Sequence, residues 1–329
     1  MSASMNDQPR DIRDVFAGIA LGTMVGDAFG AQVEGWDPES IQREYGLLSA
    51  PIGGVYTDDT QMMIGLMEAL VECAERGPNF SAAMLQESAA QKFLSNFDPS
   101  RGYGRRILGV MRRIESGLPA HMVGTDSWGN GAAMRIAPVG MFFYDNDQLL
   151  IDMAVHTAEI THIHPAGVAG AVAQAVAVGR AVRHAVEGDT LSVDSLVGDA
   201  ARAAGEFTED AVSEISRIQG LSAGDLDGAI QEIVSTFSRD VSALGAVPAA
   251  LAAFVLVHRM EGGFPDVVMA AVNSGGDTDT IGAMAGAVAG AYWGVDSIPK
   301  QWLAVMENGE KGREYIRELA LRLAELKHA

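Results

Sequence analysis

The sequence predicts an all-α fold. Apolar residues recur at helical spacing along most of its 329 residues, and sustained period-two alternation, the mark of half-buried strands, is almost absent. Composition agrees: 48% hydrophobic and 20% charged residues is the balance of a chain that buries a large core without disulfide staples. No Pro- or Ser-rich linker interrupts the chain, and no repeat of roughly 20–50 residues marks a solenoid. One helical domain over 11–329 is therefore expected, behind a short tail over 1–10 that is expected to be disordered.

The first helix is predicted over 11–32, where Ile12, Val15, Phe16, Ile19 and Leu21 keep roughly helical spacing. Gly18, Gly22, Gly26 and Gly30 line one face of it. Each glycine costs ~1 kcal/mol against Ala in a helix, so a neighbouring helix is expected to pack closely there. A loop is predicted through Tyr45 and Gly53-Gly54, then a helix over 58–74 capped by Thr57. Further helices are predicted over 81–96, 104–116, 148–160 and 165–187. Residues 187–245 carry twelve acidic side chains against only Arg202, Arg217 and Arg239, and read as peripheral helices. Beyond them come helices over 248–260, 265–273, 279–293 and 299–306. A terminal helix follows, striped by Ile316, Leu319, Leu323 and Leu326.

A formal charge of −20 argues against nucleic-acid binding, which needs cations to displace counterions from phosphates. The single cysteine, Cys73, sits in an apolar run and reads as a buried thiol in a reducing compartment. The opening MSASMNDQPRD has neither the basic start nor the apolar stretch of a signal peptide, so a cytoplasmic location is expected. No apolar run reaches the ~18 residues of a membrane span. The closest, AVPAALAAFVLV and GAMAGAVAGAYWG, read as helices buried on all sides, and no membrane partner is expected.

Two segments place clustered carboxylates and threonines at a helix start: GGVYTDDTQMM and NSGGDTDTIGA. Asp and Thr are favoured there as caps and as charges facing the positive end of the helix dipole, which would suffice for either segment alone. Capping leaves the excess unexplained. Asp58 beside Asp59, and Asp277 beside Asp279, supply more mutually repelling charge than one cap uses, and a bound cation would relieve it. The donors are oxygen only, which favours Mg²⁺, Mn²⁺ or Ca²⁺ over zinc. If the two segments meet, they could hold two ions ~3.5–4 Å apart. Gly-rich turns at RGYGRR and SWGNGAAMR offer backbone N–H groups suited to phosphate. On local grounds Glu34 reads as a solvated glutamate, and His162, where a helix ends before Pro165, as a structural histidine.

These residues together resemble the ADP-ribosylglycohydrolase family, through GTMVGDAFGAQVE, YTDDTQM, RGYGRRILGVMRRI, SWGNGAAMR, EITHIHPAGVAGA and NSGGDTDTIGAMAGAVAGAYWG. The resemblance implies an orthogonal bundle of helices. It also implies that Thr57, Asp58, Asp59, Asp277, Asp279 and Thr280 hold two Mg²⁺ ions, with Mn²⁺ as a substitute. Glu34 would be the family's mobile acid near the scissile bond, working with Asp58, Asp59 and Asp279. Gly102, Gly104, Ser127, Trp128, Gly129, Asn130, Gly131 and His162 would contact ADP-ribose. The RGYG, GNGxAMR and GGDTDTI segments look closest to the serine-type branch, although bacterial arginine-type members share several of these elements. The expected partners are ADP-ribose and an ADP-ribosylated protein or small-molecule acceptor, bound by a monomer. The implied reaction is hydrolysis at the anomeric carbon of the distal ribose, which passes through oxocarbenium character. Rival readings are an arginine-linked (N-glycosidic) hydrolase, a two-metal enzyme cutting a phosphate or pyrophosphate bond, a non-catalytic ADP-ribose module, or a structural protein.

Overall fold

The computed structural model describes residues 9–77, 79–188 and 192–328, so positions 1–8 of the expected tail lie outside the described residues. Arg10 is tied down, its N–H donating to Ala185 O at 2.7 Å. The fold is all-α, as predicted: among the described residues there are sixteen α-helices, short 3₁₀ turns and no strand, with only two isolated β-bridges. The first half of the chain supplies α1 (Ile12–Gly30), α2 (Pro38–Tyr45), α3 (Asp58–Arg76), α4 (Ala82–Ser95), α5 (Ile107–Glu115), α6 (Ala137–Phe142), α7 (Asp147–Glu159) and α8 (Pro165–Glu187). The second half supplies α9 (Val193–Gly205), α10 (Glu209–Ser216), α11 (Leu226–Thr236), α12 (Ala243–Arg259), α13 (Phe264–Asn273), α14 (Thr278–Trp293), α15 (Lys300–Val305) and α16 (Arg313–Lys327). Their buried apolar side chains form one continuous core.

The expected close neighbour of the glycine face is α14. A Cβ on Gly18, Gly22 or Gly26 would lie 2.4, 2.4 and 2.0 Å from the carbonyl oxygens of Gly290, Gly286 and Gly282. The converse holds, with a Cβ on Gly290 falling 2.0 Å from Gly18 O. As numbering rises along α1 it falls along α14, so the pair is antiparallel and meets backbone to backbone. The C-terminal end of α1 is thereby pressed against the N-terminal end of α14, where Thr278 Oγ1 donates to Gly30 O at 2.8 Å. At the far end Asp14 accepts from Val295 N at 2.8 Å.

Several elements differ from expectation for identifiable reasons. A helix, α2, stands where a loop is predicted. Asp37 caps it through Ser40 N and Pro38 opens it, but only Ile41 is buried, which leaves no apolar stripe to read. The unpredicted α6 has the opposite problem: all six residues are buried, and uniform burial erases periodicity. α12 begins five residues before Pro248, capped by Ser242, whose Oγ accepts from Gly245 N at 3.0 Å. The fold tolerates the proline inside the helix. α8 is long and apolar enough to cross a membrane by length and composition, yet it is mostly buried within the bundle, the pattern of a core helix. Cys73 is buried as expected, and burial pushes its thiol pKa up.

The seam yields a direct test. Gly26→Ala must force α1 and α14 apart, and we expect a loss of about 2–3 kcal/mol or more in denaturant unfolding. Gly109→Ala, where an added Cβ meets nothing within 4 Å, should be neutral or stabilising by up to ~1 kcal/mol. Equal effects at the two sites would contradict the backbone contact.

Candidate active site

The seam sets the position of one acidic wall. Beyond α1 the chain is fastened to the loop before α14 by paired backbone bonds, Gly35 N to Gly276 O at 2.8 Å and Gly276 N to Trp36 O at 2.9 Å. Gly276 has φ +87°, and a Cβ there would lie 2.1 Å from Arg239 O, so only glycine fits this crossing. The outcome is that oxygens of Glu34, Asp277 and Asp279 lie within 4.8 Å of one another, close enough to share a cation.

The second acidic segment is brought in by Asp27, buried in the last turns of α1. Its carboxylate accepts from Thr57 N at 3.0 Å, Thr60 N at 3.0 Å and the Thr60 hydroxyl. This pins the start of α3, where Thr57 Oγ1 caps Asp59 N at 3.3 Å. Neither Asp58 nor Asp277 caps its helix. Asp277 instead accepts from the Asn130 amide, and Asp59 Oδ2 is buried with no hydrogen-bond partner. The charge excess read from the sequence is thus not consumed by capping.

Every residue singled out from the sequence lines one cavity of about 420 Å³. Glu34, Thr57, Asp58, Asp59, Asp277, Asp279 and Thr280 form its acidic wall. Gly102, Gly104, Ser127, Trp128, Gly129, Asn130, Gly131 and His162 line the rest of it, with the Asn130 amide reaching Asp277. Trp128 is 46% exposed at the rim, and Glu34 is the exposed acid at the mouth. The turns differ from expectation in one respect. α5 starts only at Ile107, and the Asn130 N–H is already donated to Val241 O at 3.0 Å, so that group is not free for a phosphate.

Crowding shifts the acids upward. Burial raises Asp58 to about 7, with repulsion from Asp27, Glu34 and Asp277 adding to it. Burial and then Asp279 push Asp59 well up, while burial and then Asp277 do the same to Asp279. Asp277 is raised chiefly by burial, and Glu34 by partial burial and Asp277. An all-oxygen donor set, one orphaned carboxylate oxygen and mutually repelling acids fit a hard divalent cation, which would supply the missing counter-charge.

Some residues that shape the site were not singled out from the sequence. Asp27, an acid inside an apolar helix, was the available signal. Residues 239–242, in the stretch read as peripheral, link Asp277 to the Gly129–Asn130 turn. Arg239 O accepts from Asp277 N at 2.9 Å, and Val241 and Ser242 border the Gly129–Asn130 turn. Arg239 holds φ +54°, a left-handed conformation that non-glycine residues rarely adopt. Glu307 joins two site loops through its side chain, accepting from Tyr56 N at 3.0 Å and from the Arg101 guanidinium. Arg105 and Arg106 line the cavity, cations at the mouth of a chain of charge −20.

A model of the family described as ADP-ribosylglycohydrolase matches residues 8–329. An uncharacterized protein of Archaeoglobus fulgidus is 31% identical, over 96% of this chain and 97% of its own. ADP-ribosylhydrolase ARH3 of Homo sapiens is 29% identical, over 90% of each chain. Among solved structures, an ADP-ribosylglycohydrolase-related protein complex superposes with TM-score 0.69 at 26% identity, covering 96% of this chain and 99% of that one.

The Asp27 anchor is open to test. In Asp27→Asn an amide NH₂ must face the N–H of Thr57 or Thr60, leaving a buried donor unpaired. A loss of about 1–3 kcal/mol in denaturant unfolding is expected. A wild-type value would show that Asp27 does not hold the segment.

Proposed function

Because this chain belongs to the ADP-ribosylglycohydrolase family, and is thus a hydrolase of glycosidic bonds, we propose that its cavity cleaves the bond between the distal ribose of ADP-ribose and a serine or related O-linked acceptor, using two Mg²⁺ ions. The convergence of the two acidic helix starts and the glycine turns on one cavity carries this reading. A volume of about 420 Å³ suits a small-molecule ligand. The serine assignment rests on the RGYG, GNGxAMR and GGDTDTI segments, and the vertebrate relatives that bear the name ADP-ribosylhydrolase support an ADP-ribose conjugate as substrate.

In this reading Thr57, Asp58, Asp59, Asp277, Asp279 and Thr280 hold the ions. When bound, such ions orient sugar hydroxyls and make a water a better nucleophile near neutral pH. Glu34, at the mouth and with its pKa raised, moves a proton to the leaving oxygen or from the attacking water. Gly102, Gly104, Ser127, Gly129, Asn130, Gly131 and His162 line the ligand, and the exposed Trp128 ring offers a face for stacking. Arg105 and Arg106 add local positive charge for the pyrophosphate, which the chain as a whole repels.

Two measurements test the proposal. Incubated with serine- and arginine-linked ADP-ribosyl peptides, the protein should release free ADP-ribose from the serine substrate, lose activity with EDTA and regain it with Mg²⁺. Asp58→Ala and Asp279→Ala should each reduce the rate on the order of 10²-fold or more. Full activity in either variant would overturn the mechanism, and release from the arginine peptide alone would reassign the acceptor. AMP as product would mean pyrophosphate cleavage, and binding without turnover a binding module. Separately, Mg²⁺ should raise the melting temperature of the wild type but not of Asp279→Asn, because the ion binds only the folded cluster.

A further inference from the structure

We propose that Thr161, oriented by Arg135, is a positioning residue that locks His162 in one neutral tautomer, with hydrogen on Nε2, so that the ring offers the cavity a fixed N–H donor and no proton acceptor.

Arg135 is fully buried. Among the described residues no carboxylate forms an ion pair with it, and its guanidinium donates to Gly131 O, to Thr157 O at 3.1 Å and to Thr161 Oγ1 at 2.8 Å. Arginine can only donate, so one lone pair of the Thr161 oxygen is committed. The Thr161 proton then has two destinations: His162 Nδ1 at 2.7 Å, or Ala158 O at 3.5 Å. The first is a good O–H···N distance and the second is marginal. Donation from a cation also polarises the hydroxyl into a stronger donor. Nδ1 therefore accepts, and in a neutral imidazole the hydrogen must sit on Nε2.

The surroundings hold this arrangement. His162 N donates to Ala158 O at 2.9 Å, and Ile163 N donates to Thr125 O at 2.9 Å, which fixes the backbone on both sides of the ring's Cα. One edge of the ring faces α8, where a Cβ on Gly167 would lie 3.3 Å from Cδ2. The Nε2 edge faces the glycine turn, 3.3 Å from where a Cβ on Gly131 would stand, so the two hydrogens of Gly131 leave the N–H uncovered. The charged groups acting on the ring, Arg135 and Arg106, are both cations. With burial as the larger cause, they push the imidazole pKa down to about 3, keeping it uncharged. A ligand oxygen, phosphate or hydroxyl, is the chemistry such a donor recognises, and only this ligand arm rests on the function proposed above.

The test needs no turnover. In wild-type protein carrying ¹⁵N-histidine, with the His162 signals assigned by their loss in His162→Gln, long-range ¹H–¹⁵N correlation should show hydrogen on Nε2. The pattern should not change between about pH 5 and pH 9. Thr161→Val removes the hydroxyl, so an Nδ1–H population should appear and ADP-ribose affinity should fall about tenfold, the effect of one hydrogen bond. Thr161→Ser should restore both. Hydrogen on Nδ1 in the wild type, titration of the ring within that pH range, or an unchanged Nε2–H tautomer in Thr161→Val would each overturn the proposal. Should Thr161→Val fail to fold, the wild-type tautomer and its pH profile decide. An Nε2–H tautomer in a protein that does not bind ADP-ribose would sink the functional reading and leave the lock intact.

Discussion

The close approach of α1 and α14 is the constraint from which the rest of the molecule follows. Three glycines on each helix, Gly18, Gly22 and Gly26 against Gly290, Gly286 and Gly282, bring the two backbones into contact, so the register of the pair is fixed by carbonyl oxygens meeting Cα hydrogens. A packed interface of larger side chains tolerates small slips, whereas a backbone contact does not. Because the helices are antiparallel, that register decides which chain ends coincide. Glu34 follows α1 and Asp277 precedes α14, so carboxylates some 240 positions apart in sequence share one space.

Around this fixed wall the remaining loops are hung by a few charged side chains rather than by secondary structure. Asp27 gathers the start of α3 through three donors. Glu307, after α15, clamps Tyr56 and Arg101, the residues immediately before Thr57 and Gly102. Asp277 and Val241 grip the Asn130 turn from either side. Such ties leave the acids themselves largely unsatisfied: Asp59 keeps a buried oxygen without a partner, and neighbouring carboxylates raise one another's pKa. A scaffold that assembles repelling groups at this density works against its own stability, and functional sites are where that trade-off is found. The arginines at the mouth and the buried Arg135 put positive charge where a strongly acidic chain otherwise lacks it.

The helices with strong periodicity were legible in the sequence, and so was the glycine face, because a repeat that costs helix stability must be compensated by packing. The acidic segments around Asp58-Asp59 and Asp277-Asp279 stood out too, since acids in excess of capping need announce themselves locally, whereas Glu34 and His162 stood out only through the family resemblance. What escaped was of two kinds. α2 and α6 carry too little contrast, one nearly all exposed and the other wholly buried. Arg239 to Ser242 carry no local signal at all, since their role is to lend backbone groups to distant loops.

The helical class, a closely packed glycine face and the chemical type of the site can be read along the chain, because periodicity, glycine spacing and donor identity are properties of neighbouring residues. That α14 is the partner of α1, and that Asp27, Glu307 and residues 239–242 hold the loops in place, emerges from the folded molecule alone. So does the meeting of the Glu34, Asp277 and Asp279 carboxylates. Those are relations between residues tens to hundreds of positions apart, fixed by which backbones and side chains can touch, and no local pattern encodes them.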